Sequence, residues 1–527
     1  MSSQPQRHEK GAVRYVEKRR TGTCAFADRI ARASLESYRQ NVPDSHRDRG
    51  SESFQCVAAI LAHFPPDGRE GGANGDGLGT LQVVAMGAGT KFLAEGVLRE
   101  EERLARHAED GNERQEPRTR YGLRVRDCHA EVLARRAFRW HVSKVILSDV
   151  LGCNFVDCSY RPILERWPAK EKGRIRYGLK PGVTLHFYSS SAPCGNATLK
   201  KFQTMRKERF DDKLDEDSWP MRSHQEINAH SIHMGQFALL LKRDSSIKEV
   251  ENKGERAKRQ KMSMHKGKPW PAQESDDWCP PGTTIPKSNC GSVHSCSDKI
   301  ARWNYLGLQG ALLSPLLESP VYLSTVTIGR KMTESIGRRA ICCRLEIKKR
   351  TRKKKIDALK SEDATCTIAQ PYKIKHPAVM GTSVYMDEDG TLDMAKHAGI
   401  GQDVRFDSNL CWAYGAGMED ADCIDGKSGF LSTAEPEDDT RASIGKPSRV
   451  STAALTDLYV DILRAAQDEA GTGNSGAPQI LDEGCPFSME ALRALKRKQS
   501  PEYESAKRRL LKDHWIFGEW CSRESMN

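Results

Sequence analysis

Apolar residues recur with helical spacing in some segments of the sequence and with strand spacing in others, and the two kinds of segment alternate. HAEVLARRAFRWHVSKVIL (129–147) has the helical pattern, and VTLHFYSSS (183–191) has the pattern of a strand. A second helical pattern, DKIARWNYLGLQGALLSPLL (298–317), is followed by the strand pattern VYLSTVTI (321–328). This alternation favours an α/β layered core. We expect a mixed central sheet flanked by helices.

Charged and polar segments interrupt the pattern at three places. Residues 98–120 are almost wholly charged, 204–280 combine acidic and basic runs, and 429–450 form a polar stretch. Such compositions bury too little apolar surface to become ordered. We therefore interpret residues 1–527 as a single domain with three flexible insertions. A short amphipathic helix is expected to open the domain at 26–39.

The balance of charge and the cysteine content restrict the class of protein. The net charge is +12, which favours an anionic partner, and RNA over a membrane. No stretch approaches the roughly 18 apolar residues of a transmembrane span, and the first residues lack the apolar region of a signal peptide. We expect an intracellular protein, in the nucleus, the cytoplasm or both. Its 16 cysteines are then thiols or metal ligands, not disulfides.

Three short motifs place metal-binding side chains at predicted helix starts. His129 lies in Asp-Cys-His-Ala-Glu, Cys194 lies in Ala-Pro-Cys-Gly after a strand, and Cys296 lies in His-Ser-Cys-Ser-Asp-Lys. One histidine and two cysteines give zinc three protein ligands and leave one position for water, as in a catalytic site. The motif around Cys194 offers no second cysteine, so the third ligand must be distant. Cys296 is the candidate, with Cys279 and Cys290 as alternatives.

Glu131 is the candidate catalytic residue because it follows His129 by two positions. It would take a proton from the zinc-activated water and pass it to the base, while ammonia leaves. His-x-Glu with two cysteine ligands is the signature of the zinc deaminases of nucleobases. A non-catalytic zinc-bearing RNA-binding subunit is an alternative, although a structural site needs no such glutamate. Cytidine deamination is a weaker alternative, since its cysteines are commonly three apart.

The motifs resemble those of the RNA-editing adenosine deaminases. DCHAEVLARRAF, SAPCGNATLK and SCSDKIARWNYLGLQGALL carry the resemblance, which continues in MGAGTK (86–91), IDGKSG, EYESAKRRLL and GEWCSR. It implies a cytidine-deaminase-like three-layer core, with zinc at helix N-termini and a C-terminal extension. Asn196, Thr198 and Ala311 depart from the family pattern, where Asp, Arg and Ser are common.

The same resemblance implies hydrolytic deamination of adenosine to inosine. We find no separate double-stranded RNA-binding module in the sequence, which favours the branch of the family that acts on tRNA. The expected target is the adenosine 3′ of the anticodon, position 37, in alanine tRNA. An enzyme acting on structured or double-stranded RNA is the alternative. Thr90 and Lys91, in MGAGTK, are the implied contacts to the bound nucleotide.

A buried inositol hexakisphosphate is a further implied cofactor. Arg135, Arg136, Lys299 and Arg302 lie on helices apolar enough to be core, where cations need anionic partners. The alternative is ordinary ion pairing with neighbouring carboxylates. The resemblance adds five residues from the C-terminal third: Lys427, Tyr503, Lys507, Trp520 and Arg523.

Basic residues elsewhere are candidates for RNA contact. The C-terminal helical patterns MEALRALKRK (489–498) and EYESAKRRLLKDHW (502–515) provide a basic surface for the phosphates of tRNA. Its residues are Lys496, Arg497, Lys498, Arg508 and Arg509. The run KKRTRKKK (348–355) is interpreted as a solvated loop, with a nuclear localisation signal or a phosphate-binding patch as alternatives.

Overall fold

The computed structural model describes about half of the chain, in segments that include all three metal-ligand motifs. The described residues are 25–41, 56–66, 79–93, 122–153, 160–168, 175–195, 197, 294–330, 332–346, 371–386, 392–393, 409–414, 421–432, 445–469, 471 and 489–513. The predicted insertions 98–120 and 204–280 lie outside these residues, as does the basic run 348–355.

Within this part of the chain, helices and strands alternate as predicted. The helices are α1 (Ala25–Asn41), α2 (Ala130–Val150), α3 (Cys296–Leu306), α4 (Gly310–Leu313), α5 (Glu334–Ile341), α6 (Thr452–Glu469), α7 (Met489–Gln499) and α8 (Pro501–Asp513). The strands are β1 (Val57–Phe64), β2 (Thr80–Ala88), β3 (Thr90–Phe92), β4 (Asp127–His129), β5 (Leu164–Trp167), β6 (Arg176–Leu179), β7 (Thr184–Ser191), β8 (Leu323–Arg330), β9 (Ala378–Gly381), β10 (Tyr385–Met386), β11 (Leu392–Asp393), β12 (Asn409–Ala413) and β13 (Asp422–Ile424).

Seven strands form one mixed sheet in the order β13-β12-β2-β1-β7-β8-β9. The pairs from β13 to β7 are antiparallel, whereas β7 with β8 and β8 with β9 are parallel. Central strands of such a sheet are buried on both faces, which explains the continuous apolar run of β1. The expectation of a mixed central sheet is therefore confirmed.

Helices cover both faces of the sheet and produce three layers. On one face α1 packs Ile30 and Leu35 against Ala59 and Leu61 of β1. On the other face α2 lies against β2, β1 and β12, and α6 packs on α2. Alternate residues of β1 thus belong to two different cores, as the two-residue period of a strand requires. None of the helices in the described segments is both long and apolar enough to cross a membrane.

The helix predicted over 298–317 is wrong in its extent, because the structure divides it. Helix α3 ends at Leu306, and Gly307 adopts a φ of 83°, at which a Cβ atom would collide with the Gln309 side chain. The Gln309 amide donates a hydrogen bond to the Leu306 carbonyl over 2.8 Å and so closes the helix end. A short helix, α4, and a 3₁₀ turn at Ser314–Leu316 follow.

The other predicted elements agree with the structure to within a few residues. The helix predicted at 26–39 is α1, and the predicted strands 183–191 and 321–328 correspond to β7 and β8. The segment 429–450 is packed on the domain at both ends, where Phe430 and Val450 are buried. Residues 433–444 lie outside the described part, so the interpretation of 429–450 as an insertion stays a prediction.

Candidate metal centre

The first metal-ligand motif lies at the junction of β4 and α2. His129 is the last residue of β4 and the residue before α2, and it is opposite Thr90 of β3 in the antiparallel pair. The Ala130 amide donates to the Gly89 carbonyl over 2.9 Å, which anchors the start of α2 to the neighbouring strand. The histidine is 6% exposed, and the Phe92 ring stacks near it at a centroid distance of 5.9 Å.

The two cysteine motifs are joined by hydrogen bonds between their backbones and side chains. Cys194 follows β7, and Cys296 begins α3. The Cys296 amide donates to the Cys194 sulfur over 3.2 Å, and the Ser297 amide donates to the Cys194 carbonyl over 3.1 Å. Gly195 adopts a φ of 89°, and a Cβ atom on it would lie 2.4 Å from Ser295. Only glycine permits this close approach of the two motifs.

These motifs bring three metal-binding groups together. The donor atoms of His129, Cys194 and Cys296 all lie within 4.8 Å of one another. Nitrogen and sulfur donors in this number are those that zinc prefers, and three of them leave a tetrahedral position free for water. Glu131, in the first turn of α2, is 3% exposed. Its carboxylate acts to raise the pKa of both thiols, which indicates that it lies close to the cluster, and its catalytic role stays a prediction.

Cys194 has the more acidic thiol of the two. The hydrogen bond from the Cys296 side chain lowers the pKa of Cys194, and the nearby His129 lowers it further against the opposing effect of burial. The amide at the start of α3 also donates to this sulfur. A helix N-terminus favours negative charge, and here the helix that stabilises the Cys194 thiolate is α3.

Asp127 is a site residue that the motif analysis missed. Its Oδ1 lies 2.5 Å from His129 Nδ1 and accepts the His129 amide over 3.0 Å, while Lys299 Nζ donates to its Oδ2. Burial raises the pKa of Asp127, but Lys299 and His129 outweigh it and the pKa falls well below its usual range. Asp127 occupies Nδ1 and thereby leaves Nε2 as the ligand atom. The Asp-Cys-His triplet was the available signal, since a carboxylate commonly orients a ligating histidine.

A second buried group, made of cationic residues, lies one or two turns beyond Glu131 along α2, and it includes Arg135 and Arg302, which were predicted to bind a polyanion. Arg135 and Arg139 of α2 interact electrostatically with Arg302 of α3 and Tyr503 of α8. The Arg135 guanidinium lies 5.0 Å from the centre of the Trp303 ring, and its Nε has no hydrogen-bond partner among the described residues.

Burial and like charges act together on this group. Burial lowers the pKa of Arg135 to about 9 and that of Arg139 to about 10, and the neighbouring arginines contribute. Burial also lowers the pKa of Lys496 to about 7, assisted by Arg139 and Lys507. Arginine keeps its proton at neutral pH, so the lowered values express the cost of confining these charges together.

The other residues that were predicted to bind the polyanion do not all lie in this group of arginines. Arg136 donates to the Val450 carbonyl over 2.7 Å and to Thr452, at the start of α6. Lys299 pairs with Asp127 in the metal centre. Lys507 pairs with Glu504 over 3.1 Å, and Lys427 is exposed in a turn whose Gly426 contacts Lys91. Trp520 and Arg523 lie outside the described residues. Lys496 was predicted to belong to the RNA-binding surface, and Arg139 was not predicted to belong to either site.

The three-layer fold and the cluster of one histidine, two cysteines and a buried glutamate are the features expected of a nucleobase deaminase, and the cluster is a candidate zinc site. Residues 110–524 match the adenosine-deaminase (editase) domain, and the chain belongs to this family. The resemblance inferred from the motifs is thereby confirmed.

The relatives are enzymes named for two kinds of RNA. The chain is 30% identical to the double-stranded RNA-specific adenosine deaminase of Mus musculus over 59% of its own length and 21% of that protein. It is 25% identical to tRNA-specific adenosine deaminase 1 of Mus musculus over 61% of its length and 68% of that protein. To the human tRNA-specific adenosine deaminase 1 it is also 25% identical, over 58% of its length. The chain thus matches about a fifth of the first relative's length.

The contacts of Asp127 generate a prediction about metal affinity. In Asp127→Asn the His129 imidazole loses its carboxylate partner, and zinc affinity should fall about 10- to 100-fold, as for other outer-shell groups. Competition of the purified protein with a chelator measures the change. Asp461→Asn, at an exposed position of α6, is the control and should bind zinc as the unmodified protein does. Equal affinity for Asp127→Asn and the control would contradict the orienting role.

Proposed function

We propose that this protein converts adenosine to inosine in RNA by zinc-dependent hydrolysis. The observation that supports it most directly is the convergence of His129, Cys194 and Cys296 beside Glu131 in a chain of the editase family. Intracellular action, in the nucleus, the cytoplasm or both, belongs to the same proposal.

In the proposed mechanism, three residues of the centre bind the metal and a fourth transfers protons. His129, Cys194 and Cys296 would hold the zinc ion, which when bound supplies a water of lowered pKa as the nucleophile. Glu131 would take one proton from that water and deliver it to N1 of the adenine ring as C6 is attacked. It would then pass the remaining proton of the new C6 hydroxyl to the amino group, which leaves as ammonia while C6 becomes a carbonyl. We infer that Thr90, which is exposed on β3 opposite His129, and Lys91 next to it contact the nucleotide, as the family resemblance implies.

Glu131→Gln tests the proton-transfer role. The variant keeps the shape of the side chain but loses the base, so kcat should fall by about 10²- to 10⁴-fold with zinc content unchanged. Inosine formation and metal content are measured on the same preparation. Glu36→Gln, at an exposed position of α1, serves as the matched control. Turnover within a few fold of the control would remove Glu131 from the mechanism.

A polyanion such as inositol hexakisphosphate fits the buried cationic group. Arg135 Nε has no hydrogen-bond partner among the described residues, and Arg139 of α2 interacts electrostatically with Arg302 of α3 and with Lys496 of α7. Buried like charges are costly unless they are paired, and several phosphates would pair many of them at once. We include Lys507 and Tyr503 of α8 in the site, with Arg136, Lys299, Lys427, Trp520 and Arg523 retained from the family resemblance.

The position of Lys496 distinguishes this site from the basic surface. Lys496 and Lys498 are on the same helix, but Lys496 faces the arginines whereas Lys498 is exposed. Lys496→Met should reduce the inositol phosphate released on denaturation and lower the thermal midpoint, whereas Lys498→Met should change neither. Mass spectrometry of the released phosphates measures the first effect. Full activity and stability of a protein that releases no phosphate would refute the cofactor.

tRNA is the substrate that we favour. The match to the tRNA-specific relative of Mus musculus extends over 68% of that enzyme, a far larger share than the 21% matched in the double-stranded RNA-specific relative. Bases in an anticodon loop are already unpaired and cost less to flip into a pocket than bases in a duplex. Arg497, Lys498, Arg508 and Arg509 are exposed on α7 and α8 and provide phosphate contacts.

Double-stranded RNA is the second candidate, because the sequence identity to the enzymes named for it is slightly higher, at 30%. Intact alanine tRNA, its anticodon stem-loop and a long perfect duplex should be compared at equal concentration, with inosine read by sequencing. We expect inosine at position 37 of the tRNA, 3′ of the anticodon. Preferential editing of the duplex would overturn the tRNA assignment and leave the deaminase chemistry intact. Glu131→Gln provides the blank for each substrate.

A further inference from the structure

A second group of metal-binding side chains lies at the other end of the sheet from β12 and β13. Cys342 follows the last residue of α5, Cys343 begins the 3₁₀ turn Cys343–Glu346, and His376 precedes the edge strand β9. Their donor atoms all lie within 4.8 Å of one another. None of the three belongs to the motifs of the deaminase centre.

The spacing of these atoms is that of ligands around one tetrahedral ion. The two sulfur atoms are 3.6 Å apart, and Cys343 Sγ lies 3.7 Å from His376 Nδ1. Zinc bonds of about 2.3 Å to sulfur and about 2.0 Å to nitrogen give edges of about 3.8 Å and about 3.5 Å in a tetrahedron. Both observed separations agree with these edges to within a few tenths of an ångström. Little movement would therefore be needed to accept the ion.

We propose that Cys342, Cys343 and His376 bind a second zinc ion. Soft thiolates with an imidazole select zinc over magnesium or calcium. The site has an entry path, since Cys343 is half-buried and His376 is exposed. Cys342 now donates its thiol proton to the Arg338 carbonyl over 3.0 Å, and zinc would displace that proton.

The role that we propose for this zinc is to link two segments of the chain, with three protein ligands and water in the fourth position. Cys343 and His376 stand on either side of residues 347–370, and a shared ion links the end of α5 to the start of β9 across that stretch of sequence. Closing a loop of this length with a metal restricts the unfolded chain more than the folded one and so stabilises the fold. The basic run KKRTRKKK (348–355) lies within the linked stretch of sequence.

Metal counting on the full-length protein tests the proposal. Purified protein loaded with Zn²⁺ and then desalted should contain two zinc ions per chain, measured by inductively coupled plasma mass spectrometry. Cys343→Ser and His376→Gln, both at accessible positions, should each contain one. Cys153→Ser, at an exposed cysteine outside both clusters, should keep two. One zinc in the unmodified protein, with no loss in Cys343→Ser, would overturn the second site.

Cobalt separates this proposal from that of the deaminase centre. In the variant Cys194→Ser/Cys296→Ser, which removes both thiols of the deaminase centre, Co²⁺ should still produce a thiolate charge-transfer band. Adding Cys342→Ser and Cys343→Ser should abolish it. Absence of the band in Cys194→Ser/Cys296→Ser, or its survival in the fourfold variant, would refute the second site, whereas unchanged zinc in Cys194→Ser/Cys296→Ser would contradict only the deaminase centre. Discovery of a disulfide between Cys342 and Cys343 in the active protein would likewise exclude zinc there.

Discussion

The buried contact between Asp127 and Lys299 connects the parts on which the candidate centre depends. Asp127 is on β4 and Lys299 is on α3, so the ion pair joins the strand that carries His129 to the helix that begins with Cys296. The same carboxylate holds the imidazole through Nδ1. A buried pair of this kind is expensive to desolvate and is retained where it fixes a geometry. Here the ion pair sets the position of His129 relative to Cys296.

Helix α2 carries two opposite electrostatic environments within three turns. Its first turn places Glu131 near the two thiols, and the following turns place Arg135 and Arg139 close to other arginine side chains. The helix is otherwise apolar toward the sheet, where Leu133 and Ala137 are fully buried. If a polyanion binds the arginines as proposed, it would stabilise the same helix that carries Glu131.

The sequence identified the residues that form the candidate cluster, and it predicted the mixed sheet, because both depend on local signals. His129, Cys194 and Cys296 stand at helix or strand ends that apolar periodicity reveals. Asp127 was missed although it is only two positions from His129, because the motif alone does not show which side chain forms a hydrogen bond with Nδ1 of the imidazole. The break at Gly307 was missed because it depends on the Gln309 side-chain amide, which donates to the Leu306 carbonyl in place of a helical backbone amide. Lys496 was assigned to the surface since periodicity cannot show which face of α7 meets the arginines.

The distance in sequence between Cys194 and Cys296 follows from the topology of the sheet. Strands β7 and β8 are parallel neighbours, so the chain must cross over between them, and α3 belongs to that crossover. Cys194 leaves the carboxyl end of β7, and Cys296 enters α3 with its amide bonded to the Cys194 sulfur. Among the described residues, the contacts that join the two cysteine motifs come from the two ends of this crossover. The amides of Cys296 and Ser297 donate to the sulfur and the carbonyl of Cys194, so local hydrogen bonds bring together two residues that are far apart in sequence.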